Sequence, residues 1–286
     1  MKTKENLVKV FEKTVEDLRR GYYTCKDETI KFNDSRLRRC SWMYTDSDLS
    51  KSVVPEVRTE FNTKIYVQNI DSFLKAIEFG PKAAVLNMAS SRNPGGGVSK
   101  GSRAQEEDLC RRSNLLVSLY GFSSKGKIWF GNKKPFQYPI SPYGGIYSPK
   151  VTIYKDQEYN TYKMPYFTNV ISVSAMIRPE FDPDTLMISK SQVHIIKRKI
   201  RSILRIALLQ GHTKLVLGAF GCGAFCNPPK HIAKIFKEVL GETEFFNVFE
   251  EICFAILDDG NTGKAHNPEG NYKPFVDVFG TEDETI

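Results

Sequence analysis

Two apolar strands, each running straight into a glycine-rich loop, constrain this chain more than any other feature. Ala83–Asn87 (AAVLN) reads as a buried strand, followed by a glycine-rich loop over Ser90–Gly101. Lys214–Leu217 repeats the arrangement, with a second loop over Gly218–Phe225. Glycine lacks a Cβ, so such loops let backbone amides come close to an anion. Ligands in folds of this kind gather at the carboxyl ends of strands.

The rest of the chain alternates strand and helix patterns. Leu7, Val8, Phe11, Val15 and Leu18 recur at helical spacing over residues 5–20, and Gly21 ends the run. Lys64–Gln68 is a predicted strand, and Asp71 caps a predicted helix through Phe79. A helix is expected over 103–120, with Ser102 and Gln105 at capping-box spacing. Further expected strands are Val151–Tyr154, Asn169–Ser174 and Glu251–Leu257, and further helices Ser189–Gln210 and Pro228–Leu240. Residues 22–60 give no firm elements. Residues 121–165, dense in Pro, Gly and Tyr, read as an insertion carrying short strands. The pattern predicts an α/β fold with a largely parallel, helix-covered sheet. Residues 1–60 are expected as an N-terminal extension packed on the core, 61–280 as one elaborated catalytic domain, and 281–286 as a tail, with fraying from Gly280 onward.

Composition removes other classes. Apolar residues at 41% and charged residues at 26% suit a globular core and argue against disorder. No apolar run approaches the roughly 18 residues of a membrane span. Residues 1–9 lack a signal-peptide core, so a cytoplasmic or nuclear location is expected. The six cysteines include no Cys-x-x-Cys and are expected as free thiols. The 41 basic and 33 acidic residues leave a net charge of +8, which points to an anionic partner without naming it.

The first loop carries Asn93-Pro94-Gly95-Gly96-Gly97, then Gln105-Glu106-Glu107. With the following helix N-terminus it reads as a phosphate cradle. It lacks the Lys-Ser/Thr of a nucleoside-triphosphate loop and the G-x-G-x-x-G of a dinucleotide fold. Glu106 and Glu107 in a first helical turn could simply complement the helix dipole. Beside such a loop, a carboxyl could instead protonate a glycosidic leaving oxygen and then activate water. Neighbouring helix positions differ by about 100°, so the two acids are expected to hold different roles. The second loop, Gly218-Ala219-Phe220-Gly221-Cys222-Gly223-Ala224-Phe225, reads as a second phosphate site with Phe225 stacking on a ribose or base, or as a packed turn with two core phenylalanines. Cys222, Cys226 and His231 do not make a zinc-finger pattern. His194, His212 and His266 have no evident partners. The basic helix over 189–210 reads as an amphipathic helix with a solvated face, its buried stripe being Val193, Ile196, Ile200, Ile203, Leu204 and Leu208, in preference to a nucleic-acid surface.

Together these stretches resemble the microbial-type poly(ADP-ribose) glycohydrolases, whose mark is a triple glycine, a short spacer and Gln-Glu-Glu. Val85–Gly97 with Gln105–Ser113 is similar to that family's catalytic loop, and Leu217–Phe225 to its diphosphate loop. Tyr147–Val151 and Cys253–Asp258 match its further elements, so the resemblance runs from about residue 5 to 279. It implies a macrodomain-like three-layer α/β/α fold with a mixed central sheet and an N-terminal helical extension. It also implies hydrolysis of the ribose–ribose O-glycosidic bond of poly(ADP-ribose), from chain ends, releasing ADP-ribose. By position, Glu107 resembles the catalytic acid and Glu106 the residue that binds ribose hydroxyls. Gly95, Gly96 and Gly97 line the catalytic loop. Gly221, Cys222, Gly223 and Ala224 lie in the diphosphate loop, with Phe225 beside the distal ribose. Asn87 and Gln105 are carried as substrate contacts. The acid must hold its proton at working pH, which calls for a buried carboxyl. No metal or redox cofactor is implied, and a monomer is expected. The partners are poly(ADP-ribose) or ADP-ribosylated macromolecules, with ADP-ribose as product. A mono-ADP-ribosyl hydrolase and a non-catalytic ADP-ribose reader share the same loops and remain open from sequence.

Overall fold

Along the strand Lys214–Leu217 three consecutive residues are buried on alternating sides: Leu215 and Leu217 enter one apolar cluster and Val216 another. That alternation places helices on both faces of a sheet. The computed structural model describes residues 3–51, 61–130 and 137–282.

The chain begins with α1 (Lys4–Arg20). Thr3 accepts from Asn6 N–H at its start, and Gly21 closes it in the left-handed region at φ +79°. Its stripe of Leu7, Phe11, Val15 and Leu18 is buried. A small hairpin follows, β1 (Tyr22–Cys25) and β2 (Glu28–Lys31). Then come α2 (Ser35–Cys40), β3 (Trp42–Tyr44) and α3 (Asp46–Lys51). Beyond the undescribed residues 52–60, β4 (Lys64–Gln68) leads to α4 (Ser72–Phe79). Asp71 caps α4 by accepting from Phe73 and Leu74 N–H, an arrangement that contributes about 1 kcal/mol. β5 (Ala84–Met88) is the central strand and is buried on both faces.

After β5 come α5 (Gln105–Arg112), α6 (Leu115–Gly121) and α7 (Ser124–Phe130). The single helix expected over 103–120 is therefore two. The chain leaves helical geometry at Ser113 (φ −144°, ψ 175°), where it bridges to Ile153, and Asn114 N–H donates to Thr152 C=O.

β6 (Gly145–Lys155) and β7 (Thr161–Val173) are long antiparallel strands of the main sheet, so residues 145–165 of the expected insertion belong to the core sheet. Pro149 hid their full lengths. The ladder shifts register between Ser148 and Val151, and Lys150 there has φ +52°. Such a bulge breaks the period-two pattern a strand otherwise shows.

α8 (Lys190–Leu209), β8 (Lys214–Leu217), α9 (Pro229–Leu240), β9 (Glu251–Ala255) and α10 (Tyr272–Phe279) complete the chain. The sheet order is β3-β6-β7-β5-β8-β9-β4; the pairs from β7 through β4 are parallel, and β3-β6 and β6-β7 are antiparallel. This is a mixed α/β/α sandwich. α8, α9 and α10 cover one face, and α1, α4, α5 and α6 the other. β3 sits at the sheet edge, so residues before 52 contribute a strand to the main sheet. At the other edge Val67 N–H donates to Gly280 C=O, and Thr281 bridges to Val67, so the chain is docked through these residues rather than frayed; 283–286 lie outside the described residues.

The basic side chains of α8 are largely spent on ion pairs: Lys197 with Glu238, Arg198 with Asp46, Arg201 with Glu242 and Arg205 with Glu244. No helix among the described residues is long and apolar enough to cross a membrane.

Candidate active site

β5 and β8 are parallel neighbours, so both glycine loops leave the same end of the sheet. Met88, the last residue of β5, touches the position of Gly218 at the start of the second loop.

The first loop turns through Gly95 (φ +75°) and Gly96 (φ +58°), then a 3₁₀ turn over Val98–Lys100. Its amides do not face outward. Gly95 N–H donates to Glu106 Oε1 at 3.1 Å, Ser90 N–H to Glu106 Oε2 at 2.7 Å, and Gly97 N–H to Glu107 Oε1 at 2.8 Å. Gly96 N–H closes a turn onto Asn93 C=O. The phosphate-cradle reading of this loop therefore fails, because its donors are taken by the glutamates of α5. A Cβ on Gly96 would stand inside contact distance of Glu107 Oε1 and at 3.0 Å from Glu106 Oε2, so only glycine fits there.

The capping box is also absent. Ala104 is the N-cap of α5, with no side-chain bond. Gln105 Oε1 accepts from Met88 N–H at 2.8 Å, while its Nε2 donates to Leu86 C=O at 2.7 Å and Ser72 Oγ at 3.3 Å. Gln105 thus continues the hydrogen bonding of β5 and clamps the start of α5 to the sheet. Its polar groups are committed inside the protein, which does not suit the substrate contact expected of it.

Glu106 and Glu107 are both buried, at 4% and 7% exposure. They differ in how their oxygens are used. Both oxygens of Glu106 accept backbone bonds, whereas Glu107 Oε2 is buried with no partner among the described residues. Burial pushes the Glu106 carboxyl up to about 8, and the Glu107 charge adds to this against the opposing bonds from Ser90 and Gly95. Asn87 faces Glu106; its Nδ2 donates to Ser172 Oγ at 3.0 Å, and its buried Oδ1 has no partner.

The second loop is built differently. The N–H groups of Gly223, Ala224 and Phe225 have no acceptor among the described residues. A Cβ on Gly223 would meet nothing within 4 Å. Gly221 (φ +77°) is closed in by Ala175 and Asn227. Asn227 shapes the loop, donating from Nδ2 to Met176, Gly221 and Phe225 C=O. His266 Nε2 lies 3.1 Å from Cys222 C=O, and Phe225 packs half-buried against the core. The Cys222 side chain is fully buried and burial drives its thiol upward, so it offers the loop a backbone and not a nucleophile. Sequence reasoning missed Asn227 and gave His266 no partner. Among the described residues no group of three or more His, Cys, Asp or Glu is placed to hold a metal.

The sequence profile described as "Microbial-type PARG, catalytic domain" matches residues 12–156, just over half the chain and including the first loop and both glutamates. The chain belongs to this family. Among solved structures, poly(ADP-ribose) glycohydrolase from Thermomonospora curvata, bound to the inhibitor ADP-HPD, is 27% identical with a TM-score of 0.76; the match covers 96% of this chain and 99% of that one. A further structure from the same organism gives a TM-score of 0.78 at 27% identity, covering 96% and 100%. Poly(ADP-ribose) glycohydrolase from Deinococcus radiodurans, in complex with ADP-ribose, is 29% identical with a TM-score of 0.68, covering 89% and 100%. These microbial PARG structures share the mixed sheet and helical N-terminus of this chain. No curated protein matches the sequence.

Proposed function

We propose that this chain hydrolyses the ribose–ribose O-glycosidic bond of poly(ADP-ribose) and releases ADP-ribose. The observation that carries this reading is Glu107 Oε2, a buried carboxylate oxygen with no partner on a carboxylate fixed by Gly97 N–H. Burial raises the Glu106 carboxyl to about 8, so Glu106 keeps its proton near neutral pH. Glu106 spends both oxygens on backbone donors, so the oxygen left to meet substrate is Glu107 Oε2. From there Glu107 protonates the departing ribose oxygen, and the C–O bond breaks through an oxocarbenium-like state. The same carboxylate then takes a proton from water as that water adds to the sugar carbon.

The free N–H groups of Gly223, Ala224 and Phe225 suit the diphosphate, which fixes the sugar at Glu107 and sets negative charge near the developing cation. Asn87 Oδ1 and the open edge of Glu106 suit ribose hydroxyls. A pure reader has no use for a buried, unpartnered carboxyl. The ion-paired basic residues of α8 disfavour nucleic acid as the partner. The reading extends to attack at chain ends, and to a cytoplasmic or nuclear site of action, where six free cysteines suit a reducing compartment.

The test is incubation of purified Glu107→Gln with defined ADP-ribose polymers, with products sized over time. Release of ADP-ribose is expected to vanish while ADP-ribose binding stays within about tenfold. Full activity in that variant would overturn the reading. A mono-ADP-ribosylated protein cleaved in preference to polymer would redirect it to the smaller substrate.

A further inference from the structure

A cavity of about 290 Å³ lies away from the glycine loops, between α1, β1 and the β6–β7 turn. Lys9, Lys13, Asp17, Thr24 and Lys155 line it. Its charge is lopsided. Lys13 is paired with Glu16 at 3.0 Å and Asp17 at 3.4 Å, and Arg20 pairs with the same two acids. Lys9 has no ion pair among the described residues. Lys155 is 97% buried by fractional exposure (3%), and its Nζ makes one hydrogen bond, to Thr14 Oγ1 at 2.7 Å. An ammonium carries three N–H donors, so Lys155 keeps donors to spare. Three lysines therefore line the cavity against one carboxylate, Asp17. Burial pulls the Lys155 ammonium down to about 8 despite the Asp17 charge, which means its positive charge is not fully met by the protein.

We propose that this cavity binds a phosphate group as a dianion, with Lys9, Lys13 and Lys155 as its cationic contacts. Three ammonium groups from a helix and a strand surround the space, a geometry suited to a tetrahedral anion of charge near −2. A buried lysine with unfilled donors is costly by itself and becomes favourable once an anion is present. The site has a route to the catalytic helix. Tyr159, also in the cavity wall, donates to Asp108 Oδ1 at 2.8 Å, and Thr14 Oγ1 donates to Arg111 C=O. Both acceptors lie on α5, beyond Glu107. Free phosphate carries this charge on one group, and a diphosphate from a distant unit of a bound polymer carries the same total charge over two singly charged phosphoryl groups.

The test titrates the full chain with inorganic phosphate, following heat or amide shifts. The probe is phosphate alone, so the result stands apart from the catalytic reading. Saturable binding is expected, weakened about tenfold or more in Lys155→Met and severalfold in Lys9→Ala. If Lys155→Met fails to fold by circular dichroism, Lys9→Ala and Lys13→Ala carry the comparison. Phosphate binding that is absent, or equal in the wild type and these variants, overturns the proposal. A polymer held by Glu107→Gln more tightly than ADP-ribose, with the excess removed by Lys9→Ala, identifies the distant diphosphate as occupant. Phosphate binding with no such excess identifies the free anion.

Discussion

Glu107 Oε1 accepts from Gly97 N–H at 2.8 Å, and the same oxygen fills the space a Cβ on Gly96 would need. The glycine loop is therefore moulded around the carboxylates of α5. Gly96→Ala is expected to displace both glutamates and to strain a backbone at φ +58°. The fold should lose about 1–2 kcal/mol by chemical denaturation, and kcat/KM should fall about a hundredfold or more. Near-normal turnover in a folded Gly96→Ala would contradict this geometry.

The two loops predict opposite outcomes for two alanines. At Gly221 the φ of +77° and the close approach of Ala175 and Asn227 leave no room, so Gly221→Ala should lower the melting temperature. At Gly223 the added methyl meets no protein atom, so Gly223→Ala should melt with the wild type. Its methyl instead stands beside free amides, and ADP-ribose affinity should drop about tenfold. Calorimetry of melting and of ADP-ribose binding on both variants separates the effects.

Glu106 gives a pH signature in stability. Its folded carboxyl is raised from 4.5 to about 8, so the native state binds more protons than the unfolded chain between those values. Its contribution is present in full below the unfolded value and is lost as pH rises through about 8, on the order of 5 kcal/mol in all. Glu106→Gln removes the buried charge and keeps one acceptor oxygen. It should flatten this slope, so that at pH 9 the variant is more stable than the wild type while turnover is lost. A variant whose urea midpoint follows the wild type across pH 5–9 would contradict the assignment.

Much of this arrangement can be read from local pattern. Lys64–Gln68 and Lys214–Leu217 are the strands their apolar runs predict, and Asp71 is the cap its position predicts. Glu106, Glu107 and the glycines stand out because their spacing is short. What local pattern misreads is Gln105, since a capping box and a clamp onto β5 leave the same residues at the same spacing. What it misses rests on distant partners: Asn227 reaches Met176 across 51 positions, and His266 reaches Cys222 across 44. Val151–Tyr154 and Asn169–Ser174 are expected as strands, but the full lengths of β6 and β7 escaped because Pro149 and the bulge at Lys150 interrupt the alternation. Met164 and Tyr166, both exposed in the outer half of β7, give that half no clear apolar face.

Arg111 is the least legible residue of all, and it supplies the last prediction. It is fully buried, with Nε donating to Leu7 C=O at 3.2 Å and Nη2 to Val98 C=O at 3.3 Å and Ser102 C=O at 2.6 Å. Its guanidinium thus ties α1 to both ends of the 3₁₀ turn that follows Gly97. Gly101, at φ +74°, passes so close to Lys4 C=O that no side chain fits between them. Arg111→Met removes the guanidinium donor from three carbonyls, of which Val98 C=O keeps Gly101 N–H, at a cost of about 2–4 kcal/mol. It should loosen α1, read as faster proteolysis near the N-terminus. It should also free the loop that holds Glu107, so kcat should fall while ADP-ribose affinity, set by the second loop, changes less than about threefold. Arg111→Lys should recover little, because one ammonium cannot span carbonyls on two separate segments as a planar fork does. An Arg111→Met protein with wild-type kcat would mean that α1 is mere packing and that the glycine loop holds its shape without it.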